Sequence, residues 1–341
     1  MSINNIDKEK LKVTIAFLNV YILWGATYFA IVFALKGFPP FVLSSIRFFT
    51  AGLILLVWRL SKGEKIPSFK NITSNGLSGI LILVTGTGMV SWAQQYISSS
   101  EAAILGATQP FFFILFDKKQ WNIYFSNKLI LSGLIIGFFG LFLFVHQSNS
   151  GAEEGEKFQQ IIAYLALVAS AACWVLGALF SKRNGERFDS SVFMNTVWQL
   201  IAASFVTSII AGVQGDWVKF EISNVGYEAW LGLLFLIVGG SIVSYISFVW
   251  LISKRPAAIV STFTYVNPVV AVVLGVVFLS EFMTGLQFFS LFIILTGVLL
   301  TNVYNYKLTR KQKVRLARVR YQLLDLIFIP RFKTLSYYSK N

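Results

Sequence analysis

The chain has 341 residues, of which 56% are hydrophobic and only 13% charged, and its mean hydropathy is +0.68. Soluble domains carry about a quarter charged residues, so this composition excludes an ordinary globular protein and points to one that crosses a membrane repeatedly. The formal net charge is +14, and a single cysteine, Cys173, and a single histidine, His146, exclude an intramolecular disulfide, a paired-cysteine metal site and a multi-histidine site.

Apolar windows of about 17 to 25 residues, the length that crosses roughly 30 Å of hydrocarbon as helix, recur along the chain. They predict ten transmembrane helices, at 13–34, 41–60, 76–97, 101–117, 129–147, 161–181, 191–212, 229–252, 257–279 and 286–305. The first window lacks a small-residue cleavage pattern and is followed by many more, so it reads as a span and not as a removable signal. It carries Trp24-Gly25-Ala26-Thr27-Tyr28, in which Trp24 and Tyr28 share a face and either line a cavity or meet lipid. The second contains Arg47 within "VLSSIRFFTAGLILLVWR". The third ends "GTGMVSWAQQYISSSE", where Ser91 and Gln94 share a face and Gln95 points away. Gln94 is a path candidate unless it merely meets water at the rim.

The fourth predicted helix is interrupted by Pro110, a break tolerated only where protein or a wet cavity covers the freed carbonyls. The eighth, "LFLIVGGSIVSYISFVWLISKR", places Gly240, Ser244 and Ser247 in one stripe, with Tyr245 as the large polar ring among them. Close helix packing is the favoured reading of its glycines. In the ninth, Tyr265, Asn267 and Pro268 coincide with a predicted break that frees the carbonyl of Thr264. Two carboxylates, Glu101 and Glu281, fall at membrane ends. Glu281 reads as a solvated boundary marker, a proton-binding group, or a partner for a cation in the other half.

Lysine and arginine set the orientation. With the N-terminus inside, the inner segments before the tail hold fifteen, the outer loops hold only Lys36, Lys157 and Lys219, and the tail holds ten. That bias places both termini in the cytoplasm and accounts for the net charge without a nucleic-acid partner. The one basic residue left over is Arg47. The tail, basic up to Arg320 and apolar after it, suits a segment lying on anionic lipid.

The two halves resemble each other. "SSEAAILGATQPFFFILFD" answers to "KRPAAIVSTFTYVNPVVAVVLGVVFLSE", and "LSGLIIGFFGLFLF" to "LFIILTGVLLTNVY", so that Pro110 matches Pro268 and Gly140 matches Gly297 at nearly constant separation. "LWGATYF" has a looser echo in "CWVLGALF". Five helices per copy is an odd number, so the second copy enters the membrane from the opposite side. The fold class is therefore an all-α polytopic membrane protein of ten transmembrane helices in two inverted five-helix repeats. The division is a cytoplasmic N-terminus at 1–12, a first repeat at 13–147, an acidic outer loop at 148–160, a second repeat at 161–305 and a basic cytoplasmic tail at 306–341. Inverted repeats with broken helices serve alternating-access transport, with the site where the halves meet. An enzyme is disfavoured, because no span carries a metal-spaced His-Glu pair, a nucleophile elbow or a carboxylate dyad, and a channel lacks a repeated filter.

Over roughly residues 11 to 305 the chain resembles the EamA family of the drug/metabolite transporter superfamily. The resemblance rests on Trp24-Gly25, Arg47-Phe48, the Ala-Ala-Ile run leading to Pro110, and above all "SKRPAAIVSTFTYVNPVVAVVLGVVFLSE". It implies a ten-helix permease or exporter of small organic metabolites, often coupled to protons, with no cofactor or metal. It also implies that Trp24, Gly25, Arg47, Tyr265, Asn267, Pro268 and Glu281 occupy family positions. One departure stands out. The first repeat lacks a glutamate corresponding to Glu281; Asn122 or Ile123 takes that place, and Asp117 comes earlier.

The expected function is secondary transport of a small organic solute across the cytoplasmic (inner) membrane, with protons as a coupling candidate and Arg47, Glu281 and Glu101 as coupling or gating candidates. A homodimer is compatible with it. The alternatives are a non-transporting membrane sensor or scaffold that keeps the fold, and a channel-like leak. Arg47 lies about seven residues past Pro40, roughly 10 Å along a helix at 1.5 Å per residue. At that depth it snorkels, pairs with a carboxylate such as Glu281, or holds an anionic group of the solute, and pairing is the favoured expectation.

Overall fold

The computed structural model describes residues 3–116, 118, 121–148, 154–187, 190–255 and 260–302. The basic tail at 306–341, the Ala257–Ile259 run and Asp117 lie outside the described residues.

Among the described residues every regular element is a helix. Eight are long and apolar enough to cross a membrane: α1 (Leu11–Ala34), α2 (Pro40–Ser61), α3 (Phe69–Ala93), α4 (Ser99–Phe116), α5 (Lys128–Gln147), α6 (Glu156–Gly185), α7 (Val192–Val213) and α8 (Tyr227–Lys254). Two shorter apolar helices follow, α9 (Phe263–Phe278) and α10 (Gly285–Leu300). Large apolar side chains such as Phe49, Phe139, Phe205 and Phe292 point outward, as lipid as a solvent allows, and polar side chains such as Asn75, Gln199 and Asn267 point inward.

Most predicted helices fall within a few residues of the observed ones. The sixth and the third depart most: the sixth runs Glu154–Arg187, not 161–181, and α3 starts at Phe69, not 76, and ends at Ala93, not 97. Its first turns, "FKNITSNGLSG", are too polar to read as a span, yet Asn71, Asn75 and Ser78 are buried there. They join a neutral network. Asn75 Nδ2 donates to Asn195 Oδ1 (3.0 Å) and to Asn71, Asn71 Nδ2 donates to Ser190 (2.9 Å), and Gln199 Nε2 donates to Ser181 (2.9 Å).

The helix breaks differ from each other. The fourth helix is interrupted as expected, by a turn at Ala107–Thr108 just before Pro110. In the ninth, the expected break at Pro268 is corrected: the helix runs through Pro268, and the turn lies earlier, at Ser261–Thr262. A proline removes only one helical hydrogen bond, and buried surroundings tolerate that loss.

Three helices also contain widened π-type turns that the sequence did not announce: Asn19–Leu23 in α1, Ile80–Gly88 in α3 and Leu236–Ser244 in α8. Such turns spoil the regular backbone ladder and recur at functional sites. Side chains tie each of them down: Ser170 donates to the Gly86 carbonyl (3.1 Å), and Ser244 to those of Asn19 (3.1 Å) and Gly239 (2.7 Å).

In the packing, α1 lies against α8 and α9, α2 against α7 and α8, α3 against α6 and α7, α4 against α6 and α9, and α5 against α10. The α5–α10 contact is close because glycines face it. A methyl on Gly297 would meet the Gly137 backbone, and one on Gly140 would meet Ile293 and the Ile294 backbone.

Candidate functional site

A narrow cavity lies among α1, α2, α3, α4, α6 and α9, and about 70 Å³ of it is open to water-sized molecules. Trp24, Thr27 and Tyr28 reach it from α1, Arg47 from α2, Thr87 from α3, Gln109 from α4, Ser170 and Trp174 from α6, and Phe263 and Asn267 from α9. The widened turn of α3 contributes Gly86 and Thr87, and those of α1 and α8 adjoin the lining at Trp24 and beside Arg47.

Trp24 and Trp174 meet edge to face with ring centroids 6.2 Å apart, and Phe263 packs on both, at 5.3 Å from Trp24 and 5.7 Å from Trp174. Offset and edge contacts of this kind are the favoured geometry of aromatic rings, so the three rings form one packed wall. The pair comes from the two echoing segments of the sequence, one from each half.

Arg47 is 3% exposed. Phe48 beside it is buried and Phe49 points outward, so the guanidinium turns into the protein and does not snorkel. Its Nε donates to Ser241 Oγ at 2.7 Å, and the guanidinium carbon lies 5.4 Å from the centre of the Phe48 ring. Gly240 makes room for it: a methyl there would sit 2.6 Å from Nη2. The same methyl would sit 3.0 Å from Thr27, so Gly240 is a close-packing glycine, as expected, and what it packs against is Arg47 and Thr27. Among the described residues no carboxylate pairs with Arg47.

Glu281, the expected partner, is engaged elsewhere. Its carboxylate accepts from the backbone N–H of Ser99 (2.8 Å) and Ser100 (3.1 Å), from Ser99 Oγ (2.6 Å) and from Ser100 Oγ. It caps the N-terminus of α4, where the helix dipole and free N–H groups favour a negative charge. The expected Arg47–Glu281 pair is therefore absent from this structure, because the carboxylate is held by four donors at the start of α4. Glu101 closes a capping box with Ser98 and accepts from Tyr164 Oη at 3.0 Å.

The structure gathers four of the predicted path residues, Trp24, Tyr28, Arg47 and Asn267, at one cavity and leaves the others outside its lining. Tyr245 donates to Gln199 Oε1 at 2.7 Å, in the neutral network. Tyr265 donates to the Val298 carbonyl at 2.6 Å. Gln94 donates to the Tyr28 carbonyl at 3.3 Å, behind the lining. Pro268 is buried in α9, one residue beyond the lining. Asn267, with its amide nitrogen turned to its neighbours, donates to the carbonyls of Tyr21 (3.0 Å), Val20 (3.1 Å) and Phe263 (3.2 Å), and so stitches the widened turn of α1 to α9.

Sequence reasoning missed Gln109, Ser170, Trp174 and Ser241. Two of them carried a signal. Gln109 precedes Pro110 as Asn267 precedes Pro268, and Trp174 echoes Trp24. Ser170 and Ser241 carried none, because what singles them out is a partner in a distant helix.

Comparison with known proteins agrees with this picture. The EamA-like transporter family matches the chain twice, over residues 11–146 and 161–303. An Escherichia coli K12 protein named as the uncharacterized inner membrane transporter YedA is 31% identical, over 88% of this chain and 93% of its own length. The uncharacterized transporter YvbV of Bacillus subtilis is 25% identical over 87% of this chain and 93% of its own. A probable amino-acid metabolite efflux pump of Escherichia coli K12 is 24% identical over 87% of this chain and 96% of its own. One protein of known crystal structure shares the fold with a TM-score of 0.61 at 18% identity, over 86% of this chain and 98% of that one. The chain belongs to the EamA-like transporter family, and that membership together with its apolar helices makes it a membrane transporter.

Proposed function

We propose that the chain moves a small organic solute across the cytoplasmic (inner) membrane by alternating access, as two inverted five-helix repeats at 13–147 and 161–305 rocking about the central cavity. The observation that carries this reading is the composition of that cavity, a buried cation and a packed aromatic wall contributed by both halves. All ten helices cross the bilayer in this reading, with both termini in the cytoplasm and the basic tail against anionic lipid.

Three further observations support the repeat. The family matches each half separately. Exchanging the halves, so that α1 becomes α6 and so on, carries several helix contacts into one another: α1 with α8 answers to α6 with α3, α1 with α9 to α6 with α4, and α2 with α8 to α7 with α3. Helices α3 and α8, which correspond under that exchange, each carry a nine-residue widened turn. Sites of this architecture sit where the halves meet. The relatives' names, inner membrane transporter and efflux pump, support the same reading.

Coupling to protons is part of the proposal, with Glu281 as the group to test, because this one side chain from the second half holds the start of α4 in the first. Flux into proteoliposomes with and without an imposed pH gradient tests it. A gradient-dependent rate supports coupling, equal rates remove it, and solute binding without any flux favours the sensor alternative.

A further inference from the structure

We propose that the groove between α1, α8 and α9 is a phospholipid site, in which one acyl chain lies along the groove and the lipid is selected by a headgroup carrying both a phosphate and a primary ammonium. The groove shares no lining residue with the central cavity, so the site does not depend on which solute is moved.

The first ground is shape. The groove holds about 510 Å³. Its buried lining residues are small, Ala30 of α1 and Gly232 of α8, and its exposed ones are large, Tyr227 at 74% and Leu231 at 58%. The floor is small because the helices touch there: a methyl on Gly232 would lie 2.8 Å from the Ala30 carbonyl oxygen and 2.9 Å from the Ala34 nitrogen. The rings of Phe29 and Phe33 stand beside that contact, and Leu274 adds a side from α9. From Phe33 to Ala26 the groove runs about 10 Å along α1, at 1.5 Å per residue. Protein interiors leave few voids larger than a water molecule, so a furrow of this size on an apolar outer face is filled by the surrounding solvent. For membrane-spanning helices that solvent is acyl chain.

The second ground is the charge at the mouth. Just beyond the end of α1, Lys36 Nζ donates to Glu228 Oε2 in the first turn of α8 at 2.6 Å, and lies 4.8 Å from the centre of the Phe33 ring. Both charged groups are half-exposed, and Glu228 itself lines the groove. Their bond leaves two ammonium N–H groups and the second carboxylate oxygen for a ligand. A lipid phosphate on Lys36 and a lipid ammonium on Glu228 complete a ring of four alternating charges. An anionic headgroup without a cation is attracted by Lys36 and repelled by Glu228. A choline headgroup has the charges but no N–H donor for the carboxylate. A second copy of the chain seated here would strip water from the ion pair, a desolvation that pairing rarely recovers. Phosphatidylethanolamine meets every requirement. Its chain would span α1 of the first half and α8 and α9 of the second, and so brace the seam between them.

The test is thermal unfolding of the purified, delipidated full chain in detergent, with phosphatidylethanolamine or phosphatidylcholine of identical acyl chains added. The two lipids carry the same net charge, so attraction to the basic tail is equal for both. A ligand confined to the folded form raises the midpoint. The expected result is that phosphatidylethanolamine binds about three- to five-fold more tightly, the range an exposed ion pair supports. Glu228→Gln brings the two lipids together, and Lys36→Gln weakens both. Loss of the ion pair alone shifts the lipid-free midpoint and cancels in the comparison, so a merely structural role leaves the preference unchanged. Ala26→Leu, which fills the deep end of the groove, weakens both lipids alike. If a variant fails to fold, the lipid comparison on the unaltered chain decides. Equal binding of the two lipids by the unaltered chain, or a preference that survives Glu228→Gln, would overturn the proposal. So would delipidated chains that crosslink to one another through Leu231→Cys in a Cys173→Ser background, since a second copy would then cover the groove.

Discussion

Two proline-marked helices stand in corresponding places, α4 with Gln109-Pro110 and α9 with Asn267-Pro268, and their amides do opposite things. Asn267 is consumed by the fold, since its nitrogen serves three backbone carbonyls, two of them in the widened turn of α1. The oxygen of Gln109 is buried and bonded to nothing. The cause lies in the facing helix. The partner of α9, helix α1, contains a turn whose carbonyls need donors, whereas α6, which faces α4, runs as uninterrupted α-helix from Glu154 to Arg187 with its own ladder intact. The same local chemistry thus secures the structure on one side and leaves a buried acceptor without a partner on the other, and the asymmetry falls beside the cavity.

The comparison breaks most visibly at Asn267. Replacing it with alanine strips donors from buried carbonyls and costs roughly 1–3 kcal/mol, read as a lowered unfolding midpoint in detergent. Next in size is Gly240→Ala, which drives a methyl to 2.6 Å from Arg47 Nη2 and 3.0 Å from Thr27. Overpacking of this kind costs about 1–3 kcal/mol, and flux falls with it as the guanidinium is displaced. Its neighbour Gly239, where a methyl would meet only the Phe235 ring at 3.3 Å, is the control, and Gly239→Ala keeps most of the flux.

Gln109→Ala sharpens the contrast from the other side. Stability changes by no more than about 0.5 kcal/mol, because no bond to the side-chain oxygen is lost. A midpoint drop as large as that of Asn267→Ala would mean that both amides are structural.

The smallest effect lies away from both prolines, at Glu64 in the loop between α2 and α3. Partial burial raises its pKa, but hydrogen bonds from Ser191 and Arg59, the latter at 2.5 Å, and the charge of Arg59 outweigh this and leave it below the ordinary value. A depressed carboxylate pKa stabilises the fold above the unfolded value, about 4.3, and that contribution is lost as pH falls through the folded one. Glu64→Gln therefore lowers the midpoint slightly at neutral pH, and the two midpoint curves converge below about pH 4.

Much of the helical layout was legible because lipid solvation is read residue by residue. The windows at 41–60, 129–147 and 191–212 match α2, α5 and α7 closely. The start of α3 was not legible, because its asparagines look like a loop and become buried only when α6 and α7 supply partners. At the site, Trp24, Tyr28, Arg47 and Asn267 were read as path candidates and do line the cavity. Tyr245 and Tyr265 were read the same way, but their hydroxyls are satisfied inside the bundle. A tyrosine in a span announces that its hydroxyl needs a partner and says nothing of which one.

Arg47 divides the two kinds of information. That it has no loop to live in, and must escape hydrocarbon by snorkelling or by facing protein, follows from composition and charge, since transfer into hydrocarbon is unfavourable for any arginine whatever its neighbours. That it meets Ser241 and an open cavity, and not Glu281, was decided by tertiary structure alone. Capping and pairing compete for the same carboxylate, and here the donors at the start of α4 hold it. That meeting depends on segments brought together from distant parts of the chain.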